Sequence, residues 1–397
     1  MQTQLPTTLL ASATGKRADE ILRSCVHCGF CNATCPTYLL TGDERDGPRG
    51  RIYLIKDLLE TEHSGRVART HLDRCLTCRA CETTCPSGVA YGELAEIARD
   101  RLEAAAPRNL VARIIRAWLV AVLPRPDRFR VWARLGSWFK SVLPSALADA
   151  VPTPKRKRDW VESKAERRVV LLDGCVQSVA TPEVNATLAH VLAEVGVAAE
   201  RVANESCCGA LALHLGAAEP ARRHVEANAR ALFASAQHAE AILSTASGCG
   251  VTVKDYGRLA ANGDAAEQGR WVAARTLDAS EYLLRFDALP KSRSPRRVAV
   301  HTPCTLQHGQ RVRGALEQLL ERAGHTLVPA RDGHLCCGSA GTYSVLQPKL
   351  ARALRDAKID ALTEGRPDVI ATANVGCALH LGAAAPVPVK HWIELLE

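Results

Sequence analysis

Two periodicities divide this chain. Beyond residue 168, short apolar runs recur at 168–173, 240–244, 297–301 and 368–372. Each is too short for a buried helix and is rich in Val, Ile, Leu or Ala. Stretches with helical spacing, such as 184–195, lie between them. Buried strands alternating with helices predict parallel α/β sheets. Before residue 108 the apolar positions follow helical spacing alone, as in Ile52, Ile55, Leu58 and Leu59. Helices are expected over 18–24 and 94–102, and after the Gly/Pro turn of 41–50. Residues 1–15 read as a polar, frayed end.

A third pattern occupies 108–165. Val111, Ile114, Ile115, Trp118, Leu119 and Val122 fall on one helical face. Pro124 and Pro126 interrupt it, and Phe129, Trp132, Leu135, Phe139 and Val142 resume it. The net charge of +9 is concentrated here. Residues 108–168 carry fifteen Lys and Arg against five Asp and Glu, a net +10, so the remainder sums to about −1. Four of the six Trp lie between 108 and 165. A basic amphipathic helix with Trp on its apolar side fits a membrane interface, and it also fits a helix packed across two domains with its basic face in water. The run Lys155-Arg156-Lys157-Arg158 reads as an exposed linker. No nucleic-acid recognition fold accompanies it.

The cysteines add the chemistry. Residues Cys25, Cys28, Cys31 and Cys35 precede Pro36 in a C-x2-C-x2-C-x3-C-P run, and Cys75, Cys78, Cys81 and Cys85 repeat it before Pro86. This spacing holds [4Fe–4S] clusters, with the fourth Cys of each run reaching the other cluster. One cluster is therefore assigned to Cys25, Cys28, Cys31 and Cys85, the other to Cys75, Cys78, Cys81 and Cys35. Zinc would need two separated Cys pairs rather than two matched four-Cys runs. The insert of about forty residues between the runs suits a helical ferredoxin-type domain. Arg49 and Arg51 within it either screen the clusters or lie on a solvated helix end. Sixteen Cys without an apolar leader run predict a reducing compartment, with the thiols kept for metal. No stretch of eighteen apolar residues is present.

The remaining eight Cys form a repeat. Cys175, Cys207-Cys208-Gly209 and Cys249 recur as Cys304, Cys336-Cys337-Gly338 and Cys377, about 129 residues later. Each lone Cys follows a strand, at the edge where open α/β sheets place ligands, so the thiols of each unit are expected at one rim. A further cluster, a redox thiol pair or plain packing all remain open there. The fold class is thus multidomain. A helical ferredoxin-type domain (1–107) and a basic linker (108–165) precede two α/β cysteine-rich domains (166–290 and 291–397).

The repeated unit resembles the cysteine-rich domain of heterodisulfide reductase subunits and of several iron–sulfur dehydrogenase subunits. Those reductases end the pattern in C-x-x-C, whereas Thr252 and His380 stand three residues after Cys249 and Cys377 here. The five-thiolate site is broken in both units. A four-thiolate site, or one using His380 or His308, stays open. The whole chain is similar to the iron–sulfur subunits of bacterial glycolate oxidase (glycolate dehydrogenase). The blocks carrying this are Cys25-Val-His-Cys28-Gly-Phe-Cys31, Asp46-Gly-Pro-Arg-Gly-Arg-Ile-Tyr-Leu-Ile-Lys56, Thr245-Ala-Ser-Gly-Cys-Gly250, Cys304-Thr-Leu-Gln-His308, His334-Leu-Cys-Cys-Gly-Ser-Ala-Gly-Thr-Tyr343 and His391-Trp-Ile-Glu394.

The resemblance implies an oxidoreductase subunit that relays electrons from flavin-containing subunits, which convert glycolate to glyoxylate, to a quinone or other membrane acceptor. It implies a cytoplasmic chain, peripheral on the inner face of the cytoplasmic membrane. The residues themselves show no dinucleotide fingerprint and no nucleophile–base pair in context. Clusters without a hydride carrier pass single electrons and do not oxidise an alcohol alone. No catalytic residue is therefore assigned. Alternatives are a subunit serving glycerol-3-phosphate or lactate oxidation, and a thiol–disulfide enzyme using the CCG units.

Overall fold

The computed structural model describes residues 1–61, 65–141, 151–152, 159–261 and 263–397. Its N-terminal third is helical. Helix Ala13–Ser24 is capped by the Ser12 hydroxyl, which accepts from the Gly15 amide at 2.9 Å. Helix Pro48–Thr61 starts on a proline, whose missing N–H costs nothing in a first turn. Its face Ile52, Ile55, Leu58 and Leu59 packs with Ile21, Leu22, Leu72, Leu94 and Ala98 into one core. Cys25, Cys75 and Cys81 belong to the same core, so the cluster loops are anchored in packed apolar side chains. The N-terminal residues correct the expectation of a frayed end. Leu5 is buried in this core, and the Thr3 hydroxyl donates to Asp19 at 2.5 Å. Met1, Leu9 and Leu10 pack against the same core, and the segment's order comes from this tertiary packing.

Two four-stranded parallel sheets follow, as the alternating pattern predicts. Strands β1 (Arg167–Leu171), β2 (Val197–Arg201), β3 (Ala241–Ser244) and β4 (Thr276–Asp278) lie in the order β2-β1-β3-β4. Strands β5 (Arg297–His301), β6 (Thr326–Val328), β7 (Val369–Thr372) and β8 (Val389–His391) repeat it as β6-β5-β7-β8. Val169 pairs with Ala199 on one side and Ala241 on the other, and Ala299 pairs with Val328 and Ile370 in the second sheet. Strand order reverses beside β1 and beside β5, which opens a crevice at the carboxyl ends of these strands.

The two sheets are not insulated from each other. Val169, Leu188 and Leu243 of the first share a continuous apolar core with Val298, Leu316, Val369 and Trp392 of the second. His391 of β8 donates from Nε2 to the Thr245 carbonyl, just past β3, at 2.8 Å. The helical domain is pinned to both units. Arg79 pairs with Asp255 at 2.7 Å, and the Thr83 hydroxyl meets His308 Nδ1 at 2.8 Å.

The linker forms a helical hairpin, Leu110–Val122 and Pro126–Trp138. Leu119 and Val122 are buried, and Phe129 and Ala133 pack against Val179 of the first unit. Leu110, Val111, Ile114, Ile115, Trp118, Trp132 and Trp138 remain exposed. Val142 and the run 155–158 lie outside the described residues.

Candidate metal centres

The first cysteine loop begins where helix Ala13–Ser24 stops. His27 and Gly29 then take left-handed backbone conformations, with φ of 59° and 86°. Thr77 and Arg79 do the same in the second loop, at 53° and 59°. Two such residues at alternate positions wind the chain tightly, so thiols three apart face a common centre. Left-handed backbone at Thr and Arg is uncommon and persists where surrounding structure imposes it. Each loop then enters a short helical turn, Phe30–Thr34 or Ala80–Thr84. Thr34 and Thr84, each preceding the fourth Cys of its run, meet hydroxyl to hydroxyl at 3.2 Å. The two runs therefore face one another.

Two cavities result. Cys25, Cys28, Cys31 and Cys85 line one, with Pro48, Ile52 and Tyr91. Cys35, Cys75 and Cys78 line the other, with Arg51 and Tyr91. Cys81 lines both, so the cavities are neighbours. Thiol-rich cavities of this kind fit iron–sulfur clusters: the donors are soft, and no carboxylate lines either cavity. The acidities agree. Burial, then the neighbouring Cys25, Cys85 and Cys28, push Cys31 up to about 11. Burial also pushes Cys78 and Cys81 up. Thiols crowded this way deprotonate together only around a cation.

Cys75 is the exception. Burial raises it, but Arg51, Arg99, the Tyr91 hydroxyl at 3.5 Å and the Thr77 amide at 3.4 Å outweigh burial and hold it low. Arg51 is fully buried. It reaches the His71 carbonyl at 2.8 Å, Thr37 Oγ1 at 3.1 Å and Cys35 Sγ at 3.8 Å. Burial opposes its charge, yet Cys75, Tyr91, Cys35 and Asp46 keep it above the ordinary arginine value. Asp46 is itself sealed, meeting His71 Nδ1 at 2.7 Å and Arg74 at 2.9 Å. Arg51 thus faces the second cavity. Arg49 is partly exposed, pairs with Glu44 at 2.6 Å and packs beside Gly29 of the first loop.

The second thiol family also converges. Cys175 Sγ lies 3.4 Å from Cys207 Sγ, and Cys304 Sγ lies 3.7 Å from Cys336 Sγ. Cys208 contacts Cys249, and Cys337 contacts Cys377. Each set sits past the carboxyl ends of the first three strands of its sheet. Gly209 and Gly338, at φ of 91° and 88°, turn the paired cysteines inward. In the second unit the imidazole beside the thiols is His301, whose ring lies within 4.8 Å of Cys337 and Cys377. Its Nε2 is buried with no hydrogen-bond partner among the described residues. Burial, then Lys358, lowers it to about 3. His380 instead meets the Ala351 carbonyl at 3.1 Å, and His308 bridges Thr83 to the His334 carbonyl. Sequence reasoning missed His301. Its position as the last residue of β5, facing the rim, was the available signal.

The sites form a string. Leu76 and Cys78 of the second loop pack with Cys304, Cys336 and Tyr343. Asn374 donates to Cys377 Sγ at 3.6 Å and accepts from the Gly248 amide, next to Cys249, at 3.3 Å. In the first unit Glu205 accepts from the Asp173 and Gly174 amides at 2.7 and 2.9 Å, and burial pushes it up to about 7.

The 4Fe–4S dicluster domain family matches residues 21–89, and the cysteine-rich domain family matches twice, at 169–254 and 298–382. The glycolate oxidase iron–sulfur subunit of Escherichia coli (strain K12) is 47% identical over 100% of this chain and 98% of its own length. The probable glycolate oxidase iron–sulfur subunit of Bacillus subtilis (strain 168) is 29% identical over 96% of this chain and 95% of its own. Lactate utilization protein A of Geobacillus thermodenitrificans (strain NG80-2) is 28% identical, over 58% of this chain and 98% of its own length. Helical dicluster region, duplicated cysteine-rich units and likeness from end to end agree: the chain is an iron–sulfur, electron-transferring oxidoreductase component and belongs to the family of glycolate oxidase iron–sulfur subunits.

Proposed function

We propose that this chain relays electrons within a complex whose flavin-bearing subunits oxidise glycolate to glyoxylate, and delivers them to a membrane acceptor, quinone. The observation that carries this is the pair of adjacent thiol cavities sharing Cys81, in a chain alike along its whole length to glycolate oxidase iron–sulfur subunits. Cys25, Cys28, Cys31 and Cys85 hold one [4Fe–4S] cluster, and Cys75, Cys78, Cys81 and Cys35 the other. Bound there, the clusters supply single-electron capacity for a two-electron donor.

The chain's own residues set direction and insulation. Cys28 is exposed, as are Val26, Phe30 and Tyr53 around it, which makes the first cavity the docking edge for a flavin partner. Tyr91, Arg51 and Arg99 seal the second cavity from water and place positive charge beside it. Beyond it, Cys304, Cys336, Cys337, Cys377 and His301 form the stronger candidate for a further cluster, because Cys78 abuts them. Cys175, Cys207, Cys208 and Cys249 form the second candidate. Residues 108–145 supply the peripheral membrane contact.

Iron and acid-labile sulfide, counted on anaerobically purified chain, test the ligand sets. About eight iron atoms place clusters in the ferredoxin-type cavities alone, and about twelve add a CCG unit. About four or fewer would contradict the reading. The relatives named for lactate utilization favour lactate as the alternative donor. Bleaching of the copurified flavin by glycolate or by lactate decides between them.

A further inference from the structure

The second cysteine-rich unit buries an imidazole that the first does without. Cys304 and Cys336 follow Cys175 and Cys207 by 129 residues each, and the same offset sets His301 against Leu172. Leu172 is an ordinary core residue, packed with Cys175, Cys207 and Cys208. His301 is 2% exposed, and Cys337 and Cys377 beside it sit among Ala299, Ile359, Ile370 and Leu381. Its Nε2 finds no hydrogen-bond partner among the described residues. A polar ring left unpaired in such surroundings is destabilising, and the leucine of the first unit shows that packing alone does not call for it.

Spacing decides what the ring can do. Ligand atoms of His301, Cys337 and Cys377 all lie within 4.8 Å of one another. Zinc bonds of about 2.0–2.3 Å in a tetrahedron set sulfur and nitrogen ligands about 3.5–3.8 Å apart, so the three close on one ion by moving about an ångström. Thiolates of a cubane bind different iron atoms and stand wider. Among the described residues, no three thiols of the ferredoxin-type cavities gather within 4.8 Å. Cys336, whose thiol meets that of Cys337, offers a fourth ligand. Charge and orientation are supplied as well. Three thiolates and a neutral imidazole around a divalent ion leave one negative charge, and buried Lys358 stands near Cys337 and Cys336. Asn374 donates to Cys377 Sγ at 3.6 Å, as groups behind metal ligands do.

We propose that the second cysteine-rich unit binds one zinc ion through His301, Cys336, Cys337 and Cys377. The ion ties the end of β5, at His301, to the Cys336–Cys337 turn and to the helix Val375–Gly382 that carries Cys377. A closed four-ligand site of this kind is structural, because zinc does not change oxidation state. The three thiols release their protons to solvent as the ion binds. The proposal rests on the reading above that these residues hold metal, and it places one ion where that reading offers a cluster. The relay through the two ferredoxin-type cavities is unaffected.

Zinc and iron counted together on the full chain, purified anaerobically with both clusters intact, test this. The expected result is about one zinc beside about eight iron atoms. His301→Leu, which copies the first unit, should lower zinc retention against a chelator at least about tenfold, with iron content and the two cluster EPR signals unchanged. His301→Cys should keep the zinc, so a folding defect in His301→Leu still leaves the site open to test. Cobalt put in place of zinc should give the strong visible bands of tetrahedral thiolate coordination, shifted in His301→Cys. About twelve iron atoms and no zinc would overturn the single ion and leave the cluster reading standing. About eight iron atoms without zinc would remove both. Zinc held as tightly by His301→Leu as by wild type would show that it sits elsewhere, and the proposal would fail.

Discussion

The Arg51 guanidinium lies 3.8 Å from Cys35 Sγ, in a position that is 1% exposed. A full charge held there without water sets the electrostatics of the second thiol cavity. Reduction adds negative charge to whatever those thiols hold, and Arg51 favours the reduced form. Arg51→Gln is expected to lower that centre's reduction potential by roughly 50–100 mV, from a charge at about 5–8 Å in a medium of intermediate dielectric. Arg51→Lys, which keeps the charge, should shift it far less. Potentiometric EPR on both variants reads this, and an unchanged potential in the Gln variant would contradict the assignment.

The facing of Thr34 and Thr84 across 3.2 Å implies that the fourth Cys of each run crosses to the other run's cavity. Cys35→Ser should therefore perturb the same EPR signal as Cys75→Ser. Cys85→Ser should perturb the same signal as Cys25→Ser. Pairing by sequence run instead, Cys35 with Cys25, would show that the crossing is absent.

Gly338 sits at φ of 88°, where a Cβ would stand 2.6 Å from the Ala351 carbonyl oxygen. Neither backbone can yield, because helix Pro348–Thr363 carries that carbonyl and buries Ala351 and Leu354. Gly338→Ala should cost about 2 kcal/mol or more, from strained backbone plus the clash. It should also displace the Cys336–Cys337 turn. Chemical denaturation and the iron count report the two effects separately. Wild-type stability in the variant would mean that the turn is not fixed by this contact.

His391 ties the two sheets together as a neutral imidazole. Nε2 donates to Thr245, and Nδ1 accepts from the Ile393 amide at 3.3 Å. Burial lowers it to about 4, against a bond to the Thr245 carbonyl that raises it. Its folded value lies below the unfolded value of about 6.5, so the stability it contributes is complete above that pH. That stability is lost as pH falls from about 6.5 to about 4, up to about 3 kcal/mol in all. His391→Gln removes the titration. Wild type and variant should therefore converge in stability as pH falls through that window. A gap independent of pH would contradict the buried neutral state.

The strand and helix pattern was legible because periodicity is local. The run 297–301 is β5 as observed, and the lone cysteines follow strands because sheet topology places them there. What escaped is long-range. Asp46, Arg51, His71 and Arg74 meet only when two helices and a turn pack together, and no spacing along the chain announces it. Arg51 was visible as a charge near the clusters, but its burial was not. Ordering of the first residues depends likewise on Leu5 entering a core assembled from helices far along the chain. The cavity beside helix Leu110–Val122 that Arg113, Arg125 and Arg223 line needed Arg223, more than a hundred residues from Arg113, to come alongside the hairpin.

The most direct test of the relay is anaerobic addition of glycolate, followed by EPR and visible absorption of the clusters. With flavin-bearing subunits present, reduced iron–sulfur signals should appear on this chain, and quinone should reoxidise them. With the chain alone, glycolate should leave the clusters oxidised. Reduction by glycolate without a flavin partner, or turnover of the complex while the clusters never change state, would contradict the account.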